Sequence, residues 1–324
     1  MSNGSPPTID VRVARKTVEA EGVAGFELVA HGRGDLPPFE AGAHIDVHLP
    51  DGLLRQYSLC NAPAERHRYC IGVLRDPATR GGSALMHEAV FEGSSLRIGL
   101  PNNHFPLHPE AAHHLLLAGG IGVTPLLAMA EHLSAAGASF ALHYCSRSVA
   151  RAAYLARLQS SPFAERVHFH FDDGLAAQKL DLAARLGTPE PGTHIYVCGP
   201  SGFLDAVRAT ARDKGWPDAQ VHFEYFTGVA VHSATDRSFE VVLKRSGQVI
   251  RVEAAQAITE ALAAHDVFIP VSCQQGVCGT CLTTVCEGEV DHKDLYFSPE
   301  EQAANDQILP CCSRSLSPRL VLDL

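Results

Sequence analysis

Cys273-Gln-Gln-Gly-Val-Cys278-Gly-Thr-Cys281 sets three thiols in a C-x4-C-x2-C spacing, and Cys311 follows after 29 further residues. Six of the ten cysteines fall between Cys273 and Cys312. Disulfides in a secreted chain would not bunch in this way, so the clustering points to a metal or cluster site. Four thiolates can hold two irons and two bridging sulfides. A loop wrapped around such a cluster must turn backbone N–H groups toward its sulfurs, and Gly276 and Gly279 give the chain that freedom. Structural zinc favours paired short C-x2–4-C units, whereas the fourth cysteine here stands alone beside Cys312. Spacing by itself does not choose between Cys311 and Cys312.

Around this loop, residues 239–243 and 249–252 read as a hairpin-like pair about Ser246-Gly247, and residues 257–265 as a helix. Ser298-Pro299-Glu300-Glu301 is a helix start, with Ser as N-cap, Pro in the first turn and acids at the positive dipole end. From Ser233 onward there are 13 acidic and 7 basic residues, more than half of the chain's net charge of −10. Residues 227–237 are small and polar enough for a linker. Cys286, Cys60, Cys70 and Cys145 read as small packed hydrophobes.

Upstream the rhythm is different. An apolar run at residues 113–118 leads into Gly119-Gly-Ile-Gly-Val-Thr-Pro125 and a helical pattern over 126–136. Residues 140–145, 167–171, 193–198 and 221–226 read as strands, and 149–159 and 204–214 as helices. Strands alternating with helices imply a doubly wound parallel sheet. The Gly119–Pro125 turn and Cys198-Gly-Pro-Ser-Gly202 both stand at strand ends leading into helices, where the pyrophosphate of a dinucleotide would bind. Residues 9–108 alternate apolar and polar positions in short runs, such as 9–13, 44–49, 55–59 and 69–73, punctuated by Gly and Pro. That pattern suggests an antiparallel β-barrel. Arg55-Gln-Tyr-Ser58 there presents a cation, a ring and a hydroxyl, and Gly81-Gly82-Ser83 a phosphate-sized nest of N–H groups.

The composition bounds the partners. Of 324 residues, 46% are hydrophobic and 19% charged, which is globular rather than disordered. The negative balance argues against nucleic acid or an anionic membrane surface. No run approaches the ~20 apolar residues of a membrane span, and residues 1–8 lack a signal-peptide pattern, so a cytoplasmic location is expected. The 18 histidines, His104, His108, His113 and His114 among them, carry no C-x-H partner pattern and are expected mostly at the surface.

R-x-Y-S in a barrel, then G-G-I-G-V-T-P, then C-G-P, resembles the ferredoxin-NADP reductase superfamily. With the cysteine pattern at the C-terminus, the order resembles the phthalate dioxygenase reductase and vanillate demethylase reductase family over essentially the whole chain. The resemblance implies an antiparallel flavin-binding β-barrel over 1–108, a doubly wound nucleotide domain over 109–228, a linker over 229–236 and a β-grasp ferredoxin domain over 237–324. Pro310-Cys-Cys-Ser-Arg314 resembles the ferredoxin ending, which makes Cys311 the fourth ligand with Cys273, Cys278 and Cys281.

By the same resemblance Arg55, Gln56, Tyr57 and Ser58 would hold the flavin, with Ser58 near its reactive nitrogen. Gly81, Gly82 and Ser83 would bind its phosphate, Gly72 and Val73 would offer backbone contacts, and Phe226 would close over it. Gly119, Gly120, Gly122, Thr124 and Pro125 would line the nicotinamide nucleotide, with Cys198 and Gly199 beside the nicotinamide. FMN is preferred to FAD and NADH to NADPH. The implied activity is that of a two-to-one electron transformer. It would serve as the reductase component of a Rieske-type mono- or dioxygenase that it meets transiently through charge, as a monomer. A haem monooxygenase or other hydroxylase as acceptor, and a redox sensor or simple electron carrier, are the alternatives.

Overall fold

The computed structural model describes residues 7–32, 34–50, 53–76, 81–226, 236–271, 274, 276–277 and 279–324. The chain divides into two units, Met1–Phe226 and Thr227–Leu324.

The first unit opens with strands β1 (Thr8–Ala20), β2 (Val23–Ala30), β3 (His44–His48), β4 (Leu54–Ser58) and β5 (Tyr69–Leu74), followed by helix α1 (Gly82–Glu88) and β6 (Ser95–Gly99). They form one antiparallel sheet in the order β4-β3-β6-β1-β2-β5. A bridge between Leu59 and Ile71 joins its two edge strands and closes the barrel. Alternate residues line its interior, among them Val11, Val13, Phe26, Leu28, Ile45 and Ile98, all essentially inaccessible to solvent.

Five parallel strands follow: β7 (His113–Gly119), β8 (Ser139–Ser146), β9 (Val167–Phe171), β10 (Thr193–Gly199) and β11 (Val221–Tyr225). The helices between them are α2 (Val123–Ala135), α3 (Leu155–Gln159), α4 (Leu182–Leu186) and α5 (Ser201–Asp213). The order β11-β10-β7-β8-β9 reverses direction beside β7. The carboxyl ends of β7 and β10 therefore form the crevice in which ligands of open α/β sheets bind. Because β7 and β10 are inner strands, covered on both faces, they read as apolar runs rather than alternations.

The expected helix over 149–159 is cut short. Only α3 forms: a brief 3-10 turn at Val149–Arg151 ends where Ala152 turns extended, and Tyr154, left-handed at φ 60°, stands just before α3. An aromatic residue there costs about 1–3 kcal/mol of backbone strain. The turn carries the Tyr154 hydroxyl to 3.5 Å from Cys60 Sγ and sets it against Gly72 of the barrel, so one side chain ties the barrel to the parallel sheet. Helix α2 begins three residues earlier than the apolar pattern suggests, taking Pro125 into its first turn, where a missing N–H costs nothing.

The second unit comprises β12 (Phe239–Leu243), β13 (Val249–Val252), α6 (Ile258–Ala263), β14 (Thr283–Glu287), β15 (Val290–Asp291), α7 (Pro299–Ala304), β16 (Gln307–Ile308), β17 (Arg314–Ser315) and β18 (Arg319–Leu322). The main sheet runs β13-β12-β18-β14-β16, with β12 and β18 parallel, and β15 pairs with β17. Ile258, Ala261 and Leu262 on one side of α6 pack on Val241, Ile250 and Leu320 of the sheet. The N-cap of α7 is as expected: Ser298 Oγ accepts from Glu301 N–H, and Glu301 accepts from Ser298 N–H at 2.8 Å. Arg314, 3% exposed, donates to the carbonyls of Arg237, Glu253 and Gln256 and so fixes the segment that follows Cys311.

Candidate functional site

The two glycine-bearing turns meet. A Cβ on Gly122 would lie 2.3 Å from the Cys198 carbonyl oxygen, and one on Gly199 would lie 2.9 Å from Gly119 Cα. Gly119, Gly122 and Gly199 are thus needed for the turns to approach each other. Gly120 differs: its φ is +55° and a Cβ would meet nothing within 4 Å, so it is the glycine of this turn that faces open space. Thr124 and Pro125 are buried in α2, and the Thr124 hydroxyl donates to Ile121 O at 3.0 Å.

On the barrel, Gln56 Nε2 donates to Asp46 Oδ1 at 3.0 Å, which fixes that side chain along β3. The Tyr57 phenol is pushed up to about 12 by burial, with Arg55 acting in the opposite sense. Arg55 lies against the first residue of α1, where a Cβ on Gly82 would meet its Nε at 2.5 Å. A guanidinium packed on a helix start, preceded by Gly81 at φ +96°, is chemically suited to a phosphate monoester. Ser83 Oγ accepts from Asp76 N–H. A Cβ on Gly72 would meet Tyr154 and Thr124, and the Val73 carbonyl accepts from His87 Nε2 at 2.9 Å. Phe226 packs half-buried against the core beside β11.

Glu224 stands opposite Cys198 in the β10–β11 register, and its Oε2 accepts from Ser58 Oγ at 3.5 Å. Burial pushes this carboxyl up to about 8, against the pull of the Ser58 hydroxyl. The Cys198 thiol is itself raised by burial and by Glu224. Sequence reasoning overlooked Glu224, although it stands two residues before Phe226. The structure joins Ser58, Cys198 and Glu224 into one group that holds a proton near neutral pH. A folded-state carboxyl that keeps its proton favours folding below the ordinary value of 4.5, and that contribution is lost as pH rises toward about 8. In melting experiments Glu224→Gln should therefore gain on the wild type between pH 5 and 8 and run parallel to it above. Parallel melting curves throughout would refute the raised carboxyl.

In the second unit, Cys281 and Cys311 are buried at 3% and 4% exposure in a cluster with Phe297, Leu309 and Cys312. The Cys281 thiol first, then the Cys312 thiol and the backbone of Gly276, bond to Cys311 and hold it down at about 4, while Cys312 is pushed far up. Gly276 has φ +73° and a Cβ there would strike Cys312 Sγ at 2.4 Å. Cys281 and Cys311 thus form a buried, hydrogen-bonded pair against a glycine-bearing loop, and this chemistry fits two ligands of an iron–sulfur cluster. Cys273 and Cys278 lie outside the described residues.

Most of the described histidines are exposed or half-buried, His104, His108 and His113 among them, but four depart from the expected surface role. His44, His114, His143 and His194 are buried. His194 Nδ1 and His222 Nε2 lie 2.9 Å apart with His108 stacked on His194, and His143 Nδ1 lies 3.0 Å from His170 Nε2. Neutral imidazole both donates and accepts, so paired rings share a hydrogen bond inside the sheet, while the buried His143 Nε2 keeps no partner. Burial pulls His143 down to about 3 and His222 to about 4.

Known proteins share this arrangement. Residues 241–316 match the 2Fe-2S iron-sulfur cluster binding domain, and residues 100–221 match the N-terminal domain of dimethylamine monooxygenase subunit DmmA-like proteins. A chain with a reductase-type barrel, a parallel nucleotide sheet and a 2Fe–2S domain is an iron–sulfur oxidoreductase. More particularly, the chain belongs to the family of oxygenase reductases that includes vanillate O-demethylase oxidoreductase and phthalate dioxygenase reductase. It is 50% identical to the vanillate O-demethylase oxidoreductase of Pseudomonas sp. (strain HR199 / DSM 7063), over 98% of this chain and 100% of that one. The solved phthalate dioxygenase reductase, described as modular for electron transfer from pyridine nucleotides to [2Fe-2S], is 39% identical, covers 98% of each chain and superposes with a TM-score of 0.79. An intact type IV self-sufficient cytochrome P450 monooxygenase is 36% identical with a TM-score of 0.82, over 98% of this chain and 41% of the larger one. No helix among the described residues is long and apolar enough to cross a membrane.

Proposed function

We propose that the protein is the NADH-dependent FMN and 2Fe–2S reductase of a Rieske-type oxygenase acting on an aromatic compound. The full-length likeness to vanillate O-demethylase oxidoreductase carries this reading. Bound to this chain, FMN would convert a two-electron hydride donor into single electrons, and the 2Fe–2S cluster would pass them on one at a time.

The chain's own residues position the donor. Arg55 with Gly81, Gly82 and Ser83 would hold the FMN phosphate by charge and N–H donation, and Tyr57 would lie along the ring system. Gln56, fixed by Asp46, would keep the strand edge in place. Gly120 would admit the pyrophosphate of NADH, while Gly119, Gly122 and Gly199 hold the two turns together around it. Cys198 would pack on the nicotinamide and exclude water. Ser58 would present its hydroxyl to the reacting edge, and Glu224 Oε2, 3.5 Å behind it, would orient that hydroxyl. Phe226 would cover the flavin face, Gly72 and Val73 would offer it backbone contacts, and Thr124 and Pro125 would line the nicotinamide nucleotide. Cys273, Cys278, Cys281 and Cys311 would ligate the cluster.

The barrel, nucleotide and ferredoxin domains would span 1–108, 109–228 and 237–324 in a cytoplasmic monomer that meets its oxygenase transiently. The likeness to the P450 fusion supports a second reading, in which the acceptor is a haem monooxygenase. Two measurements test the cofactor assignment: chromatography of the flavin released on denaturation, and kcat/KM with NADH against NADPH. FMN and a preference of roughly tenfold or more for NADH are expected. FAD, or a preference for NADPH, would contradict it.

A further inference from the structure

Tyr296 is 46% exposed and Leu282 39% exposed, and both border the cysteine loop. A Cβ on Gly279 would lie within 2.5–2.8 Å of the Tyr296 ring and hydroxyl, so the ring rests directly on the backbone between Cys278 and Cys281. Leu282 N–H donates to Gly279 O at 3.0 Å. The tyrosine is firmly held. Leu295 N–H donates to Gly276 O at 3.0 Å, Phe297 N–H donates to the buried Asp294 carboxylate at 3.0 Å, and the Tyr296 ring meets Phe297 edge-on at 5.2 Å. Phe297 in turn packs with Cys281 and Cys311. A fixed, half-exposed aromatic at this place has the character of an interface anchor.

The charges near it in the chain are one-sided. Between Val252 and Ser313, the stretch that contains all four cysteines, there are ten Asp and Glu residues but a single basic one, Lys293. Lys293 is paired with Asp236 and lies 3.6 Å from Asp291. Arg314, buried, lies 3.6 Å from the same Asp236, and Arg245 with Asp323, Arg251 with Glu253 and Arg319 with Glu240 form ion pairs on the sheet. Glu300 and Glu301, exposed in the first turn of α7, follow Tyr296 closely in the chain.

We propose that Tyr296 and Leu282 form the apolar centre, within an acidic rim, of the face on which the oxygenase seats a basic surface over the cluster. The inference rests on the electron-transfer function proposed above. The acid excess steers a basic acceptor, and the apolar pair provides the close, dry contact that electron transfer over short distances requires.

The test uses the holoprotein with NADH and two one-electron acceptors: cytochrome c, a basic protein with an exposed redox edge, and ferricyanide, which needs no docking surface. One NADH gives NAD+ and a proton and reduces two ferric cytochromes. The Tyr296→Ala and Leu282→Ser double variant should lower kcat/KM for cytochrome c about tenfold at low salt and leave ferricyanide reduction unchanged. Tyr296→Phe should stay within about twofold of the wild type. The wild-type rate with cytochrome c should fall as salt rises. An unchanged cytochrome rate in the double variant, or a flat salt dependence, overturns the proposal. So does a parallel loss with ferricyanide or an altered cluster spectrum, which would make the two residues supports of the loop. Failure of the wild type to reduce cytochrome c at all would instead remove the electron-transfer function itself.

Discussion

Cys311→Ser should abolish the iron–sulfur absorption and lower electron delivery to a protein acceptor roughly a hundredfold or more, while Cys312→Ser keeps both. The two adjacent cysteines occupy different environments. Cys311 shares a hydrogen-bonding contact with Cys281, which lowers its thiol, and the two are buried in one cluster with Phe297 and Leu309. Cys312 Sγ lies 3.6 Å from Leu309 O and 3.7 Å from Ser313 Oγ, with Gly276 pressed against it. It fills the floor beneath the loop. Reduction of ferricyanide by NADH should survive in the Cys311→Ser protein, because the Ser58, Cys198 and Glu224 group lies wholly within Met1–Phe226. Optical and electron paramagnetic resonance spectra of the two variants decide the matter. A cluster retained in Cys311→Ser and lost in Cys312→Ser would reverse the assignment.

Gly122→Ala should damage the use of NADH far more than Gly120→Ala, although glycine geometry alone suggests the opposite. Gly122 has an ordinary helical backbone at φ −62°, which alanine adopts freely, whereas Gly120 stands at φ +55°. Space decides. The added methyl on Gly122 would lie 2.3–2.6 Å from the backbone of Cys198 and Gly199, which cannot rotate away, so the two turns must separate. Overpacking of this kind costs about 1–3 kcal/mol, and misplacing the Cys198 turn by about 1 Å can cost up to roughly a hundredfold in kcat/KM. At Gly120 the methyl enters open space, and the left-handed backbone costs about 1–2 kcal/mol. Melting temperature and kcat/KM for NADH with ferricyanide separate the two cases. Equal effects would mean that the turns do not bear on each other.

The cysteine spacing and the two glycine turns were legible because each places unusual residue types at fixed offsets. The purpose of the glycines was less legible. The sequence suggests room for a pyrophosphate, yet Gly120 and Gly202 open to space while Gly119, Gly122 and Gly199 serve chain-to-chain approach. Glu224 was hidden because its partner Ser58 lies 166 residues away in the chain, a pairing that only the closure of the barrel onto the parallel sheet creates. The helix expected over 149–159 breaks between Ala152 and Tyr154, where the Tyr154 contacts with Cys60 and Gly72 outweigh local helix preference. The four buried histidines depart from the surface reading for a related reason. A ring counted as polar in the sequence becomes a core residue once a second ring accepts its proton, as His143 and His170 do.

An anaerobic titration of freshly purified protein with NADH, followed in the visible spectrum, tests the central claim that one chain turns a hydride into single electrons. The account predicts bleaching of a flavin band together with a broader iron–sulfur absorption, and an uptake of about three electrons per chain, two for the flavin and one for the cluster. A flavin that bleaches while the cluster absorption persists, or a reconstituted protein inert to NADH, would contradict it.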